Sequence, residues 1–202
     1  MASCNTRKPI GLRVLMAEHS KNTRLNFSWV ANSLITTATS YLLDANVFIR
    51  AANEYYALDL VPRFWDNLDR FAALGRVISI DRVQGELLAP PALVTWIQGS
   101  FIGGFKSTTD TAVATQYARV MQWVQNGNPT RPFTPAAIAQ FAGVADGWLI
   151  AYALAFNCLV VTLETYEPNC YKKVKIPNVC RAFGIVPIDT FEMMRRLGIR
   201  LT

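Results

Sequence analysis

Histidine is nearly missing from this chain: 202 residues contain one, His19. It stands within residues 1–40, so the remainder has no imidazole. A Ser-His-Asp site, a Cys-His site and a two-histidine acid–base ribonuclease all lack their base there. The four cysteines, Cys4, Cys158, Cys170 and Cys180, include no C-x-x-C pair and no zinc-like spacing with histidine. They read as reduced thiols, which points to a cytoplasmic protein. Also missing is any run of about 18 uncharged apolar residues, which speaks against a membrane-spanning helix. No internal repeat is visible. Any hydrolytic chemistry here has to rest on carboxylates, with or without a metal.

What is present suits one domain: 51% of the residues are hydrophobic, enough for a sizeable core. The formal charge of +6 is unevenly placed. Residues 1–40 carry five basic side chains against Glu18, a net +4, while the rest holds 15 basic and 13 acidic groups, a net +2. The basic pI therefore says little about the partners of the core. Residues 1–40 have no period and are rich in Asn, Ser, Thr and Arg. They read as a poorly ordered basic extension, or as the product of an upstream start. A transit or signal segment is disfavoured because "LNFSWVANSLITTATS" is interrupted throughout by polar residues. The domain is expected over 41–202.

From Tyr41 the pattern becomes regular. Leu42-Leu43 reads as a buried strand, with a helix following Asn46. "ALDLVPRFWDNLDRFAALGR" sets Leu60, Phe64, Leu68 and Phe71 at helical spacing and stops at Gly75. "RVISI" is a second buried strand; Asp81 is the cap candidate of the next helix, and Pro90-Pro91 ends it. "GSFIGGFKSTTD" reads as a mobile loop and "TAVATQYARVMQWVQ" as a helix. Thr134-Pro135 starts another. "VADGWLIAYALAFN" is a strongly apolar helix leading to the strand "CLVVTLE". A basic loop follows, then "GIVPI" as last strand and "DTFEMMRRLG" as last helix. Short, wholly apolar strands alternating with helices predict an α/β fold with a parallel sheet.

Four acids fall where such a sheet gathers its ligands. Asp44 follows the first strand, Glu86 lies in the helix after the second, Asp146 opens the apolar helix, and Glu164 ends the next strand. In an open parallel sheet these positions meet at the carboxyl edge. Carboxylates that close repel, so a convergent set raises its pKa values or recruits a cation. Oxygen-only donors suit Mg²⁺ or Mn²⁺. Each acid also has an ordinary explanation. Asp44 or Asn46 can cap a helix, Asp146 can sit at the positive end of its helix, Glu86 can be a solvated surface residue and Glu164 a loop acid.

Taken as an ordered set, "YLLDANVFI", "VISIDRVQGEL" and "VADGWLIAYALAFNCLVVTLE" resemble the PIN-domain nucleases, the group that includes VapC-like toxins. Ser79 and Leu87 frame Glu86 as that family's pattern asks, Ala151 and Ala153 follow Asp146, and Glu164 stands 18 residues beyond it. "EYYALDLVPRFWDNLDR", "KKVKIPNVCRAFGI" and "FEMMRRLGIRL" are similar to a PIN-like branch known only as a domain of unknown function, often in a toxin–antitoxin context. The resemblance covers about 41–202.

It implies a PIN-like three-layer α/β/α sandwich with a central, mainly parallel sheet. It further implies an endoribonuclease that hydrolyses RNA phosphodiesters with Mg²⁺ or Mn²⁺ held by Asp44, Glu86, Asp146 and Glu164, supported by Asn46 and Thr162. A cognate antitoxin and a homodimer are the partners it implies. Two residues depart from the family pattern: Ala45 replaces a hydroxyl residue, and Glu164 replaces Asp, which predicts a weaker second metal site.

Cationic contacts to an RNA backbone are expected from Lys172, Lys173, Lys175 and Arg82, with Arg181 and Arg50 nearby. An ordinary solvated loop explains "YKKVK" equally well. Tyr55 and Tyr56 are candidates to stack on bases, while Trp65 and Trp148 are better placed in the core. Three other readings stay open: a catalytically weak or inactive RNA-binding scaffold on the same fold, a flap-type DNA nuclease, and a dehalogenase-type phosphatase. The last would need a second Asp where Asn46 stands.

Overall fold

Three short apolar runs lie side by side at the centre of the molecule. In the computed structural model, which describes residues 39–126 and 131–201, they are Tyr41–Leu43 (β1), Val77–Ile80 (β2) and Leu159–Val161 (β4). With the two-residue edge strand Phe105–Lys106 (β3) they form one sheet in the order β3-β2-β1-β4, every neighbouring pair parallel. All residues of β1 and β2 are buried. A strand buried on both faces needs cover on both, and helices provide it. The result is a three-layer α/β/α sandwich with an all-parallel sheet, as the alternation of short strands and helices predicts. The expected extension over 1–40 lies outside the described residues, apart from Thr39 and Ser40.

From β1 the chain steps outward to β2 and then to β3, and returns to β4 on the other side of β1. The direction of winding therefore reverses at β1. The carboxyl end of β1 is the switch point, the place where open α/β sheets leave a crevice. Leu43 pairs with Val161, and the next backbone N–H, that of Asp44, donates to the Val161 carbonyl at 3.0 Å. Asp44 is thus tied to the end of β4 as well as to its own strand.

Ala45–Arg50 (α1) starts at once after Asp44 and runs on into a π-helical turn, Ala51–Tyr55. Pro62–Ala73 (α2) buries Phe64, Trp65, Leu68 and Phe71, and Gly75 closes it with φ +66°. Leu60, read from its spacing as part of that helix face, is instead 78% exposed in the preceding turn, because Pro62 sets the helix start one turn later. Asp81–Glu86 (α3) follows β2 directly. Asp81 is the first residue of α3 and not its cap: its carboxylate accepts from the Arg82 N–H at 2.8 Å and from Thr108.

Pro91–Gly99 (α4) was not expected, since Pro90-Pro91 reads as a stop. Pro91 instead occupies the first turn of a new helix, where its missing N–H costs nothing. The stretch expected as a mobile loop holds a 3₁₀ turn, Ile102–Gly104, and the edge strand β3. Phe101 is fully buried against Phe48 and Trp96, and its ring lies under Gly104, where a Cβ would come within 2.5 Å. Glycine there is a packing requirement and no sign of disorder.

Thr111–Asn126 (α5) and Asp146–Phe156 (α7) pack closely, separated in sequence by Pro135–Ala142 (α6). Thr134 caps α6 by accepting from the Ala137 N–H at 3.2 Å, and Asn157, at φ 53°, terminates α7. Ile176–Ala182 (α8) lies where a basic loop was read. "GIVPI" is not a strand: a single parallel bridge joins Val161 and Ile188, since Pro187 has no N–H to extend the ladder. Thr190–Leu197 (α9) begins with Asp189 accepting from the Glu192 N–H at 2.7 Å.

Cys158, Cys170 and Cys180 are free thiols. Trp65 is buried, and so is Tyr56, whose hydroxyl donates to Met194 Sδ at 3.8 Å. Of the two tyrosines expected to be open to a base, only Tyr55 is exposed. Among the described residues no single helix is long and apolar enough to cross a membrane.

Candidate functional site

Asp44 is the most deeply placed of the acids, 2% exposed at the end of β1. It stands at the cap position of α1, yet its side chain caps nothing. Its Oδ2 accepts instead from Thr162 Oγ1 at 2.9 Å and from Asn46 Nδ2 at 3.2 Å. Burial pushes its pKa up to about 6; the bonds from Thr162 and Asn46 oppose that rise, and the charge of Glu164 adds to it. Two neutral donors leave the charge itself uncompensated. Below, the Ser79 hydroxyl donates to the Leu43 carbonyl at 2.7 Å and fixes β2 against β1 just under the acid.

Asp146 opens α7, so the helix places its carboxylate over the same sheet edge. Its pKa rises to about 7, first through burial and then through the charges of Asp44, Glu164 and Glu86, with Lys173 opposing. That all three other acids act on it is the electrostatic sign that they face one space. Glu86, at the last turn of α3, reaches across to the backbone N–H of Ala145 at 2.7 Å, the residue next to Asp146. Glu164 comes from the loop after β4. Its Oε1 accepts from Lys173 Nζ at 2.6 Å and its Oε2 from the Ile176 N–H at 2.9 Å, while its own N–H donates to Thr162 Oγ1 at 3.2 Å. Thr162 therefore links the backbone of one acid to the side chain of another.

Glu86, Asp146 and Glu164 line one cleft of about 180 Å³, together with Asn46 and Lys173, and α6 supplies its wall through Ala137, Gln140 and Phe141. Nothing in the spacing of α6 announced that role; only the packing of α6 against α5 and α7 puts it there. The donors are carboxylate oxygens without a histidine or thiolate, and two of the acids hold their protons unusually tightly. That chemistry fits a hard divalent cation. As they stand, however, no three acidic, His or Cys side chains among the described residues are close enough to clasp one ion. The carboxylates gather without forming a closed cage.

The cations expected around the cleft differ in how they are engaged. Lys173 lies inside it, paired with Glu164; Lys175 is paired with Glu167. Lys172 is exposed. Arg50 is held by Glu54 and Tyr55. Arg82 sits over Trp148, its guanidinium 3.9 Å from the ring centre, and its Nε donates to Thr108 Oγ1 at 3.2 Å. Trp148 in turn stacks on Tyr117 at 3.8 Å with the planes 9° apart, so it is neither wholly core nor free. Arg131, which the sequence did not single out, covers the ring of Tyr171 at 3.3 Å.

One family model, Domain of unknown function (DUF4411), matches residues 41–201. The chain belongs to the DUF4411 family. Its match begins at the first residue of β1 and ends at Leu201, so the family extends over the whole sandwich. No curated protein and no solved structure matches the chain.

Proposed function

We propose that this DUF4411 domain is a PIN-like, Mg²⁺- or Mn²⁺-dependent endoribonuclease. The observation that carries the reading is that Glu86, Asp146 and Glu164, distant in sequence, line one cleft at the switch point of a parallel sheet, with buried Asp44 near enough for its charge to act on Asp146. Asp44, Glu86 and Asp146 would hold the ion, with Glu164 as fourth carboxylate and Thr162 and Asn46 orienting Asp44. The ion would supply an activated water and neutralise charge on the phosphate. Around it, Arg82 and Lys172 offer cations to neighbouring phosphates, and residues 41–202 hold no histidine, which leaves the acids as the available proton acceptors. The same reading makes the protein the toxin of a toxin–antitoxin pair, cytoplasmic, with an antitoxin and a second copy of the chain as partners.

Cleavage of a labelled RNA with Mn²⁺ by the wild type and by Asp146→Asn tests it. The wild type is expected to cut, leaving 5′-phosphate and 3′-hydroxyl ends, and the variant to lose cutting while still binding RNA. The open arrangement of the acids and the engagement of Glu164 by Lys173 favour a second reading, an inactive RNA-binding scaffold. That reading expects RNA binding unchanged by Mn²⁺ and no cleavage by either protein.

A further inference from the structure

Both carboxylate oxygens of Glu164 are engaged. Oε1 takes the Lys173 ammonium at 2.6 Å, and Oε2 takes the N–H of Ile176 at 2.9 Å. Ile176 is the first residue of α8, and its N–H is one of those that a helix leaves without an internal acceptor. An ion bound to Glu164 would have to share oxygens already engaged, one of them in a charge-assisted bond, and would stand beside the Lys173 ammonium, whose like charge repels it. The Glu164 side chain is only 10% exposed, whereas that of Lys173 is 48% exposed. The lysine thus enters from the rim and lies over the carboxylate.

Lys173 is also held in place by its neighbours. Val174 is buried beside it, the Cys170 thiol donates to the Lys173 carbonyl at 3.3 Å, and the Tyr171 carbonyl accepts from the Thr134 N–H at 3.0 Å, tying the loop to α6. The loop is thus anchored, and the ammonium at the end of the flexible lysine stem is held by its bond to Glu164. The Glu164 arm, one methylene longer than aspartate, is what lets one carboxylate reach both Lys173 and α8.

We infer that the Lys173 ammonium fills the place that a second divalent ion would take on Glu164, so that the cleft binds a single divalent ion, on Asp44, Glu86 and Asp146. The inference rests on the reading of the cleft as a cation site and refines it: Lys173 becomes a permanent cation of the site, where a loop lysine would otherwise serve only as a loose RNA contact.

Calorimetric titration of Mn²⁺ into the full chain, checked by electron paramagnetic resonance of the bound Mn²⁺, is the test. The wild type is expected to bind one ion per chain. Lys173→Gln removes the ammonium from a half-exposed position without burying or unburying much, and is expected to bind two, with spin–spin coupling between them. Lys173→Arg keeps the cation and is expected to stay at one. Two ions in the wild type, or one in Lys173→Gln, overturns the assignment of Lys173 and leaves the cation site standing. No ion in any of the three proteins overturns both.

Discussion

Thr162 is the residue through which the two deepest parts of the cleft communicate. It donates to Asp44 Oδ2 at 2.9 Å and accepts from the Glu164 N–H at 3.2 Å. Thr162→Val keeps the shape but strips both bonds, so Asp44 loses its shortest donor. Groups that orient a metal ligand in this way are worth about 10–100-fold in metal affinity. Mn²⁺ affinity of Thr162→Val, measured by calorimetry, is expected to fall within that range, with the melting temperature changed less than in Asp44→Asn.

Arg82 makes a second prediction at this scale. Its Nε is used by Thr108 and its guanidinium sits over Trp148, which holds the guanidinium at the surface one helical turn from Glu86. Introduced into the cleavage-deficient Asp146→Asn protein, Arg82→Gln is expected to weaken RNA binding and to lower the slope of log affinity against log salt by about 0.7 to 1, the effect of one lost phosphate contact. An unchanged slope would remove Arg82 from the RNA path.

Among the elements, α7 carries the most consequence because its first turn holds Asp146 while its body is core. Gly147 is the second residue of that helix. A Cβ there would meet Tyr117 at 3.0 Å and Phe141 at 3.1 Å. Gly147→Ala would therefore press on the ring that supports Trp148 and on the wall of the cleft. Overpacking of this kind costs about 1–3 kcal/mol, and thermal melting is expected to show a loss of several degrees despite alanine's better helix propensity.

Much of this level was legible from sequence. Thr134-Pro135, the apolar face of α2 from Phe64 onward and the run Asp146–Phe156 each carried a local signal, and the structure bears each out, with Leu60 the exception. The elements that escaped had signals that pointed elsewhere. Pro90-Pro91 reads as an end and serves as a beginning; glycines around Phe105 read as slack and serve close packing. "GIVPI" has a strand's composition but only one bridge, since Pro187 gives the ladder no N–H.

For the molecule as a whole, the carboxylates make stability depend on pH in an unusual direction. Asp44 and Asp146, with pKa values raised to about 6 and about 7, stay protonated in the fold at a pH where the unfolded chain has released both protons. The folded state then binds more protons than the unfolded one, so stability falls as pH rises. Their contribution is full below about pH 4 and lost by the time pH passes 7. For buried Asp44 alone the shift corresponds to about 3 kcal/mol.

The metal-free protein is therefore expected to melt several degrees lower at pH 8 than at pH 5.5, a window in which ordinary carboxylates are already ionised. Mg²⁺ or Mn²⁺, which would bind the ionised acids, is expected to raise the melting temperature more at pH 8 than at pH 5.5. A melting temperature that rises with pH in the absence of metal would contradict the raised pKa values. Asp44→Asn is expected to flatten the dependence, because the amide carries no proton to lose.

By itself, the sequence determined that the strands are short and buried on both faces, hence the parallel sandwich. It also placed an acid at the end of β1, in α3, at the start of α7 and after β4. Those are local matters of hydropathy, spacing and punctuation, and local chemistry suffices to read them. Which acid keeps its proton, and which one is already neutralised, belongs to the tertiary structure. Lys173 meets Glu164 only because α8 and α6 pin the intervening loop, and Asp44 is left with neutral donors only because β4 ends where Thr162 can reach it. Distances between side chains separated by tens of residues decide those energies, and no spacing along the chain contains them.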